Sequence, residues 1–476
     1  DKAGEGASSD NLPGTEGDDL IDGFGGDDTI TGLGGDDILI GGDGDDVIDG
    51  GTGANTIYGD GGDDTITSNG DGDVVDAGEG DNTIIIGSDA NGGEFTSGDG
   101  NDNYLVEEGS SGVSQINAGN GNNEITIKDE TNVSYITTGE GKDSITSESN
   151  IHRISTGSGD DTLNLTSVGG LIETGSGNDS IIVTGMVGSN NQWYTHTGFG
   201  HGGIRAGDGD DTIELSGGAG IGTYDLNGIG YPRGYWSEIR GGGGNDTIIL
   251  SGNESNYSFI FGESGNDVIN ASQSRHTQQI EGGDGEDTLI GTGLDDRIHG
   301  GNDNDSIDGG NGDNQLYGNA GDDSIESGSG DDTIYGGNND DVLNAGGGND
   351  VIYGGNGGGS KGDDRSIDTA VFSGASTDYK ISRATDVNYG YVYYIQDKRD
   401  GSPDGLDTLY DIDRLRFTGE ESIDMSDWAG GTSWGYPWNS YIIENNYDTE
   451  RKWLDAYLAE YQRRLENSTE EIDIET

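Results

Sequence analysis

The stretch "GGDGDDVIDGG", residues 41 to 51, places four aspartates among eleven residues and surrounds them with glycine. Within it, Asp46 follows Gly44 by two residues and precedes the aliphatic Ile48 by two residues. The same Gly-x-Asp-x-aliphatic pattern recurs at intervals of nine residues on both sides of this stretch. Such a fixed period predicts a repeat architecture.

The composition by itself would indicate a disordered chain. The 476 residues include 95 glycines and no cysteine, only 28% are hydrophobic, and the formal net charge is -71. Low hydrophobicity with high net charge usually leaves too little apolar surface to offset the entropy of the chain. A disordered acidic tract has no reason to keep a nine-residue period, however, so we expect a folded repeat protein.

The repeats are spaced differently along the chain. The nine-residue spacing holds near the two ends, at Asp19, Asp28, Asp37, Asp46, Asn55, Asp64, Asp73 and Asn82, and again at Asp287, Asp296, Asp305, Asn314, Asp323, Asp332, Asp341 and Asp350. In the middle the pattern recurs mostly at 18 to 21 residues, at Asp102, Asn123, Asp143, Asp161, Asp179, Asp211, Asp246 and Asp267. An isoleucine precedes most of these middle turns at constant offset, at Ile116, Ile136, Ile154, Ile172, Ile204, Ile239, Ile260 and Ile280. We therefore expect one continuous solenoid, with aspartate turns on two edges near its ends and on one edge in the middle.

Each nonapeptide is typical of a tight turn followed by a very short strand. Glycine permits the positive φ angles of the turn, and the single aliphatic is the strand residue that faces the core. One nonapeptide cannot bury its aliphatic alone, whereas two form a coil of 18 residues that can stack on the next coil. The predicted fold is an all-β parallel β-roll, or β-solenoid.

Stacking would bring equivalent aspartates to within about 4.8 Å of each other, the spacing of neighbouring strands. Two such charges repel by roughly 3 kcal/mol at an effective dielectric constant near 20, so a long row of them predicts cations in the turns. Carboxylate and carbonyl oxygens in flexible loops suit Ca²⁺ better than Mg²⁺, while zinc and copper prefer cysteine or histidine. We expect many bound Ca²⁺ ions. The candidate ligands are Asp19, Asp28, Asp37, Asp46, Asp64, Asp73, Asp102, Asp143, Asp161, Asp179, Asp211, Asp246, Asp267, Asp287, Asp296, Asp305, Asp323, Asp332, Asp341 and Asp350.

Residues 14–85 and 282–353 resemble the RTX, or hemolysin-type calcium-binding, repeat, as in "GGDGDDVID" (41–49) and "AGGGNDVIY" (345–353). The resemblance implies a parallel β-roll with calcium held in the turns by the aspartates and the glycine-rich backbone, including Gly26, Gly35, Gly44, Gly330 and Gly348. It also implies secretion from a Gram-negative-type cell by type I secretion, a one-step channel that reads a C-terminal signal. Asparagine replaces the aspartate at residues 55, 82, 123 and 314, and Leu294, Asp303 and Asn339 replace the fourth-position glycine. We expect weaker or missing sites there.

The chain divides by composition into six segments. These are a lead-in at 1–13, a roll with two calcium edges at 14–86, a continued solenoid with mainly one calcium edge at 87–281, a second two-edged roll at 282–364, a C-terminal antiparallel β cap at 365–428, and an aromatic linker and helix at 429–476. The pattern of apolar residues places the terminal α-helix at 449–466. Aromatic insertions at 184–203 and 216–238 interrupt the middle segment; their rings either contact a protein or a sugar, or fold back over the roll.

The sequence offers little for catalysis, and we expect no enzyme. It has no His-Glu-x-x-His motif. The Gly-x-Ser-x-Gly match at 431–435 lacks the strand and helix that a nucleophile elbow needs. The negative charge disfavours nucleic acid, and no apolar run approaches the length of a membrane span.

The sequence therefore predicts a secreted, calcium-dependent structural protein of the cell surface, such as a subunit of a surface layer, sheath or fibre, extracellular and forming a homo-oligomer. Absence of cysteine fits an extracellular bacterial protein. Two alternatives remain: the calcium-binding C-terminal part of a larger secreted enzyme or toxin, and an adhesin that binds cell-surface glycans through its aromatic insertions.

Overall fold

The structure, a computed structural model, describes residues 2–4, 6–185, 203–216, 237–252, 258–276, 278–355, 366–386 and 389–425. Contacts divide the chain into Asp1–Met425 and Ser426–Thr476, and the second unit lies outside the described residues. The expected linker and helix at 429–476 therefore lie outside them, as does most of each aromatic insertion.

The described chain forms a parallel β-solenoid, which confirms the predicted fold class. Its strands stack in two parallel rows, here named sheet 1 and sheet 2. Sheet 1 contains Lys2–Ala3, Leu20–Asp22, Ile38–Asp43, Thr56–Gly61, Val74–Asp76, Glu94–Thr96, Val113–Asn117, Val133–Thr137, Leu171–Ser176, Gly203–Asp208, Ser237–Gly243, Ser258–Ser264, Gln279–Asp284, Arg297–Asn302, Gln315–Ala320, Thr333–Asn338, Val351–Tyr353 and Leu406–Tyr410. Sheet 2 contains Asn11–Thr15, Thr29–Leu33, Val47–Asp49, Thr65–Ser68, Thr83–Ile86, Asn103–Val106, Glu124–Ile127, Thr162–Val168, Ser180–Val183, Thr212–Leu215, Thr247–Leu250, Val268–Asn270, Thr288–Ile290, Ser306–Asp308, Ser324–Glu326, Val342–Asn344, Thr369–Phe372 and Arg414–Phe417. One strand, Ser144–Ser155, continues from sheet 2 into sheet 1.

The aliphatic of each repeat lies in the narrow core between the sheets. In the strand Val47–Asp49, Ile48 is 1% exposed while Val47 is 50% exposed, as the alternation of side chains along a strand requires. Ile48 pairs in register with Ile30 on one side and Ile66 on the other. The middle isoleucines expected from the sequence stack in the same way in sheet 1, for example Ile116 on Ile136.

The solenoid keeps its register across both aromatic insertions. Leu171–Ser176 pairs with Gly203–Asp208, and Thr212–Leu215 pairs with Thr247–Leu250. The insertions therefore do not change which residues face the core in the coils on either side of them.

The middle coils have a wider apolar core than the end coils. Near the ends, the residue two positions after the sheet 2 aliphatic is often glycine, as at Gly32 and Gly50. In most middle coils that position holds a second buried aliphatic, at Ile86, Val106, Ile127, Leu165, Val183, Leu215 and Leu250. These coils therefore bury additional apolar surface, which stabilises them by about 25 cal/mol for each Å².

The C-terminal segment differs in part from the predicted antiparallel sheet. Tyr379–Asp386 and Gly390–Asp397 form an antiparallel hairpin, and Gly390–Asp397 pairs antiparallel with Leu406–Tyr410. However, Leu406–Tyr410 also pairs in parallel with Val351–Tyr353. Thr369–Phe372 likewise continues sheet 2, followed by Arg414–Phe417, on which the short strand Ile423–Asp424 packs antiparallel. One 3₁₀ turn, Ser376–Asp378, precedes the hairpin.

Stacked aromatic rings join this segment to the roll along the outer face of sheet 1. His299, Tyr317, Tyr335, Tyr353 and Tyr410 stand on successive strands, with ring centroids 4.3 to 4.8 Å apart and nearly parallel planes. Each ring covers the face of its neighbour and adds packing outside the core.

We predict that Ile48→Ala lowers the free energy of unfolding by about 2–5 kcal/mol, because it leaves a cavity in a core only one side chain wide. The matched control is Val47→Ala, one residue away on the solvent side, which should have a much smaller effect. Thermal unfolding in saturating calcium compares the two. Equal losses would mean that the row of inward aliphatics does not carry the stability of the coils.

Candidate metal sites

The aspartate of each repeat is buried at a turn and bonded to the coil before it. Its Oδ1 atom accepts the backbone N–H of the equivalent residue in the preceding coil: the N–H of Asp28 donates to Asp46 at 2.7 Å, and that of Asp46 donates to Asp64 at 2.8 Å. Because each carboxylate satisfies a backbone donor of its neighbour, the aspartates form a ladder along the roll.

One such ladder, here named the long ladder, precedes the strands of sheet 2 through the whole described roll. Its members are Asp10, Asp28, Asp46, Asp64, Asn82, Asp102, Asn123, Asp143, Asp161, Asp179, Asp211, Asp246, Asp267, Asp287, Asp305, Asp323, Asp341, Asp368 and Asp413.

Two short ladders precede the strands of sheet 1 near the two ends. The first contains Asp19, Asp37, Asn55 and Asp73; the second contains Asp296, Asn314, Asp332, Asp350 and Asp407. Between them the equivalent position holds other residues, including Gly93, His152 and Gln278. These are the middle coils with the wider apolar core.

The second carboxylate oxygen of most ladder aspartates has no hydrogen-bond donor. Among the described residues, Oδ2 is buried without a partner at Asp28, Asp37, Asp46, Asp64, Asp102, Asp143, Asp161, Asp179, Asp211, Asp246, Asp267, Asp287, Asp305, Asp323, Asp332, Asp341 and Asp350. A buried charged oxygen without a partner is strongly unfavourable, so such an atom requires either a proton or a cation.

The backbone around this oxygen supplies further oxygens. A Cβ atom placed on Gly41 would lie 2.3 Å from Oδ2 of Asp46 and 2.8 Å from the carbonyl oxygen of Gly59, so glycine keeps the space between the two oxygens open. Gly44 has a φ of +133°, and a Cβ there would lie 2.5 Å from the carbonyl oxygen of Gly26. Both glycines are required because neighbouring coils meet there through backbone atoms.

These carboxylate and carbonyl oxygens fit a hard cation such as Ca²⁺. Among the described residues, no group of three or more histidine or acidic side chains converges on a point, so backbone carbonyls would have to complete any coordination shell. Carboxylate and carbonyl oxygens are the ligands that Ca²⁺ prefers. The ladder aspartates with their glycine-rich turns would hold the ion, and the ion would supply the positive charge that Oδ2 lacks.

The structure places the other predicted ligands differently. Oδ2 of Asp19, Asp73 and Asp296 accepts hydrogen bonds from a nearby hydroxyl and a backbone N–H. The five predicted glycines, at residues 26, 35, 44, 330 and 348, all adopt left-handed φ angles. Of the replaced glycines, Asp303 and Asn339 keep a left-handed φ, near 72° and 76°.

Sequence reasoning missed four members of the ladders. Asp10 lies in the predicted lead-in, and Asp368, Asp407 and Asp413 lie in the predicted cap. The signal was available, because each stands two residues before a buried apolar residue of a strand, as in "DTL" at 407–409. Without the glycines of the turn, an aspartate and an apolar residue two positions later form too short a pattern to be recognised as a repeat.

It also missed a second row of hydrogen bonds just outside the long ladder. The residue before each buried aspartate often accepts the backbone N–H of the equivalent residue in the following coil: Asp45 accepts from Asp63 at 2.9 Å, and Asp63 accepts from Asp81 at 2.8 Å. These bonds run in the opposite direction to those of the buried row. The exposed acid therefore has a structural partner and is not required as a metal ligand.

The family comparison agrees with this geometry. The family described as RTX calcium-binding nonapeptide repeat (4 copies) matches residues 6–84, 238–253, 258–273 and 281–360 in overlapping or adjoining copies. The chain contains RTX calcium-binding repeats. The matched RTX repeats include both short ladders up to Asp350. On the long ladder they include the members from Asp10 to Asn82 and from Asp246 to Asp341, but not Asp368 or Asp413. No curated protein matches the chain.

Burial makes several ladder aspartates weaker acids in the absence of a cation. Burial raises the pKa of Asp46 to about 6, of Asp64 to about 7 and of Asp305 to about 8; the backbone hydrogen bond to each carboxylate opposes this shift, and repulsion from neighbouring ladder carboxylates adds to it. A raised pKa means that the folded state favours the protonated form.

We therefore predict that, in chelator, acid stabilises the roll. Carboxyls with raised pKa values contribute stability at low pH that is lost as the pH rises through about 6 to 8. Circular dichroism in chelator should show β structure increasing as the pH falls from about 8 towards 5, whereas in saturating calcium the same acidification should lower the melting temperature because protons compete with the ion. The same trend in both solutions would contradict a shared proton and calcium site.

Proposed function

We propose that this chain is a secreted, calcium-binding structural protein of the cell surface whose folding depends on calcium. The observation that carries the proposal is the row of seventeen buried Oδ2 atoms without a donor among the described residues. Seventeen uncompensated charges would cost far more than the 5–15 kcal/mol that typically stabilises a domain. Where these carboxylates are ionised, the roll therefore needs cations as an integral part of its structure.

The arrangement of the ladders supports a structural role. Most members of the long ladder repeat the same chemistry through the described roll, with an inward apolar residue beside a buried Oδ2 that has no donor. In a stack of this kind each coil contacts only its neighbours, so the same local interactions can be repeated from coil to coil. In the proposed organisation, calcium binds on both edges near the ends and on one edge in the middle, where additional apolar residues widen the core.

The same calcium dependence supports a proposal of secretion. Millimolar calcium would load weak sites outside the cell, whereas a cell that keeps its free calcium low would leave the repeats unfolded. Among the described residues, no helix has the length and apolar character to span a membrane. We place the protein at the cell surface or in the medium.

Calcium-driven folding is tested by circular dichroism of the full chain. We predict a largely disordered spectrum in excess chelator at neutral pH and low salt, and a β spectrum after calcium is restored, because binding to the folded state alone stabilises it by RT ln(1 + [L]/Kd). Magnesium at the same concentration is the control and should act weakly. A native-like β spectrum in chelator would refute the proposal.

A layer or fibre further requires contacts between copies. We propose that residues 432–465 of a second copy cover the first coil of the roll, because the aromatic side chains of this segment suit protein contacts. Such a contact would give head-to-tail assembly.

We predict that the full chain sediments as large species in millimolar calcium and that deletion of residues 430–476 leaves a monomer, because the deletion removes the proposed covering segment. The full chain in chelator is the control. A monodisperse full-length monomer at high concentration in calcium would rule out self-assembly and favour the calcium-binding part of a larger secreted protein.

A further inference from the structure

Asparagine occupies some turns of the ladders, and there the amide makes the contacts that the aspartates lack. At Asn82, Oδ1 accepts the N–H of Asp64 at 3.0 Å, as an aspartate would. Its Nδ2 donates to the carbonyl oxygens of Gly80 at 3.0 Å and Gly78 at 3.3 Å, within its own turn. The orientation of the amide follows from this network, because only the oxygen can accept the backbone N–H.

Two other asparagines repeat the arrangement. Nδ2 of Asn314 donates to the carbonyl oxygens of Gly312 at 3.1 Å and Ser327 at 3.2 Å, and Nδ2 of Asn123 faces the carbonyls of Gly121 and Gly119 at 3.3 and 3.4 Å. Asn55 is an exception, because its Nδ2 has no partner. In the three turns with these contacts, the N–H groups of the amide meet backbone carbonyl oxygens, which belong to the turn itself except for that of Ser327 in the next coil.

Three aspartate turns are closed by donors in another way. At Asp296, Oδ2 accepts the backbone N–H of Thr292 at 2.6 Å and its hydroxyl at 2.8 Å. Thr15 makes the same two bonds to Asp19, at 2.7 and 2.8 Å. At Asp73 the donors are the hydroxyl of Ser68 and the N–H of Gly70. In contrast to the seventeen aspartates described above, these carboxylates have donors to Oδ2.

We propose that these six turns, at Asp19, Asp73, Asn82, Asn123, Asp296 and Asn314, close without calcium, with an amide or hydroxyl donor taking the place of the cation. We name them the closed turns. The inference rests on the proposed calcium-dependent folding and specifies which turns of the chain do not take the ion. In the three closed asparagine turns, a single atom makes the difference from a calcium-binding turn. Nδ2 in place of Oδ2 supplies two N–H donors and removes one negative charge.

The closed turns include the places where the short ladders stop and resume. Asp73 is the last member of the first short ladder, and Asn82 follows it on the long ladder. The second short ladder begins at Asp296, whose Oδ1 accepts the N–H of Gln278 at 2.6 Å; the side-chain amide of Gln278 in turn donates to Ser274 and to the carbonyl oxygen of His276. Hydrogen bonds thus hold the boundaries between one-ladder and two-ladder coils, where the coil changes its shape.

The test exchanges one atom in each of two adjacent members of the long ladder. Asn82→Asp replaces the amide nitrogen by oxygen and keeps the Oδ1 acceptor, so it should add calcium to the full chain. Asp64→Asn makes the reverse change and should remove it. The double variant, with both exchanges, should return to the wild-type number. Native mass spectrometry of the three variants and the wild type in calcium counts the ions, and circular dichroism in calcium checks that each variant folds.

A second measurement follows the local stability of each turn when calcium is limiting. Hydrogen exchange near pH 7 at a calcium concentration that half-saturates folding should show peptides around Asn82 less protected in Asn82→Asp and peptides around residue 64 more protected in Asp64→Asn. If Asn82→Asp does not fold, the loss of calcium and the gain of protection in Asp64→Asn carry the test alone.

The outcomes separate this inference from the function on which it rests. Equal calcium numbers in the wild type and both single variants, with unchanged local protection, would overturn the closed turns while leaving calcium-dependent folding intact. A wild-type chain that binds no calcium and is protected equally in chelator would instead overturn the proposed function.

Discussion

The roll depends on the different contacts that the two oxygen atoms of each buried carboxylate make. One oxygen of Asp46 accepts a backbone N–H of the preceding coil, and the other lies without a donor near the backbone carbonyl of Gly59. The first contact fixes the distance and register between coils, since a backbone donor on the inside of a turn must be satisfied. The second leaves a negative oxygen beside another oxygen, which is stable only when something positive neutralises it. The same side chain therefore connects the coils and makes the connection conditional on a ligand.

Glycine is a consequence of this arrangement. Neighbouring turns approach so closely that a Cβ at Gly44 would overlap the carbonyl group of Gly26, and one at Gly41 would fill the space beside Oδ2 of Asp46. A turn built this way cannot contribute apolar burial. Most of the apolar stabilisation of a coil must therefore come from its two short strands, which explains why an inward aliphatic such as Ile48 recurs in coil after coil near the two ends.

The middle coils obtain their stability in a different way. They lack the second aspartate row, and most carry an additional inward aliphatic, such as Ile86 or Val106, where the end coils often have glycine. Apolar burial contributes stability whether or not calcium is bound, whereas a buried carboxylate contributes only with its cation or a proton. Together with the closed turns, this difference means that segments of the same solenoid depend on calcium to different degrees.

The nonapeptide period of the sequence determined the fold class, the inward row of aliphatics, the position of the buried aspartates and the calcium chemistry of the repeats. These features are local, because the alternation of a strand and the φ angle of a turn depend on residues close in sequence. The apolar-x-apolar pairs in "IIIG" at 84–87 and "YLVE" at 104–107 also indicate the wider core. Only the tertiary structure decided which carboxylate oxygen is left without a donor, that Asn82 bonds to the carbonyls of its own turn, and that Asp407 and Asp413 extend the ladders into the C-terminal segment. Those contacts depend on partners in a neighbouring coil or on the exact path of the turn, and the coils are joined by 18, 35 or 57 residues of intervening chain. A local pattern predicts the shape of each coil, but only the stacked coils show which atoms meet between them.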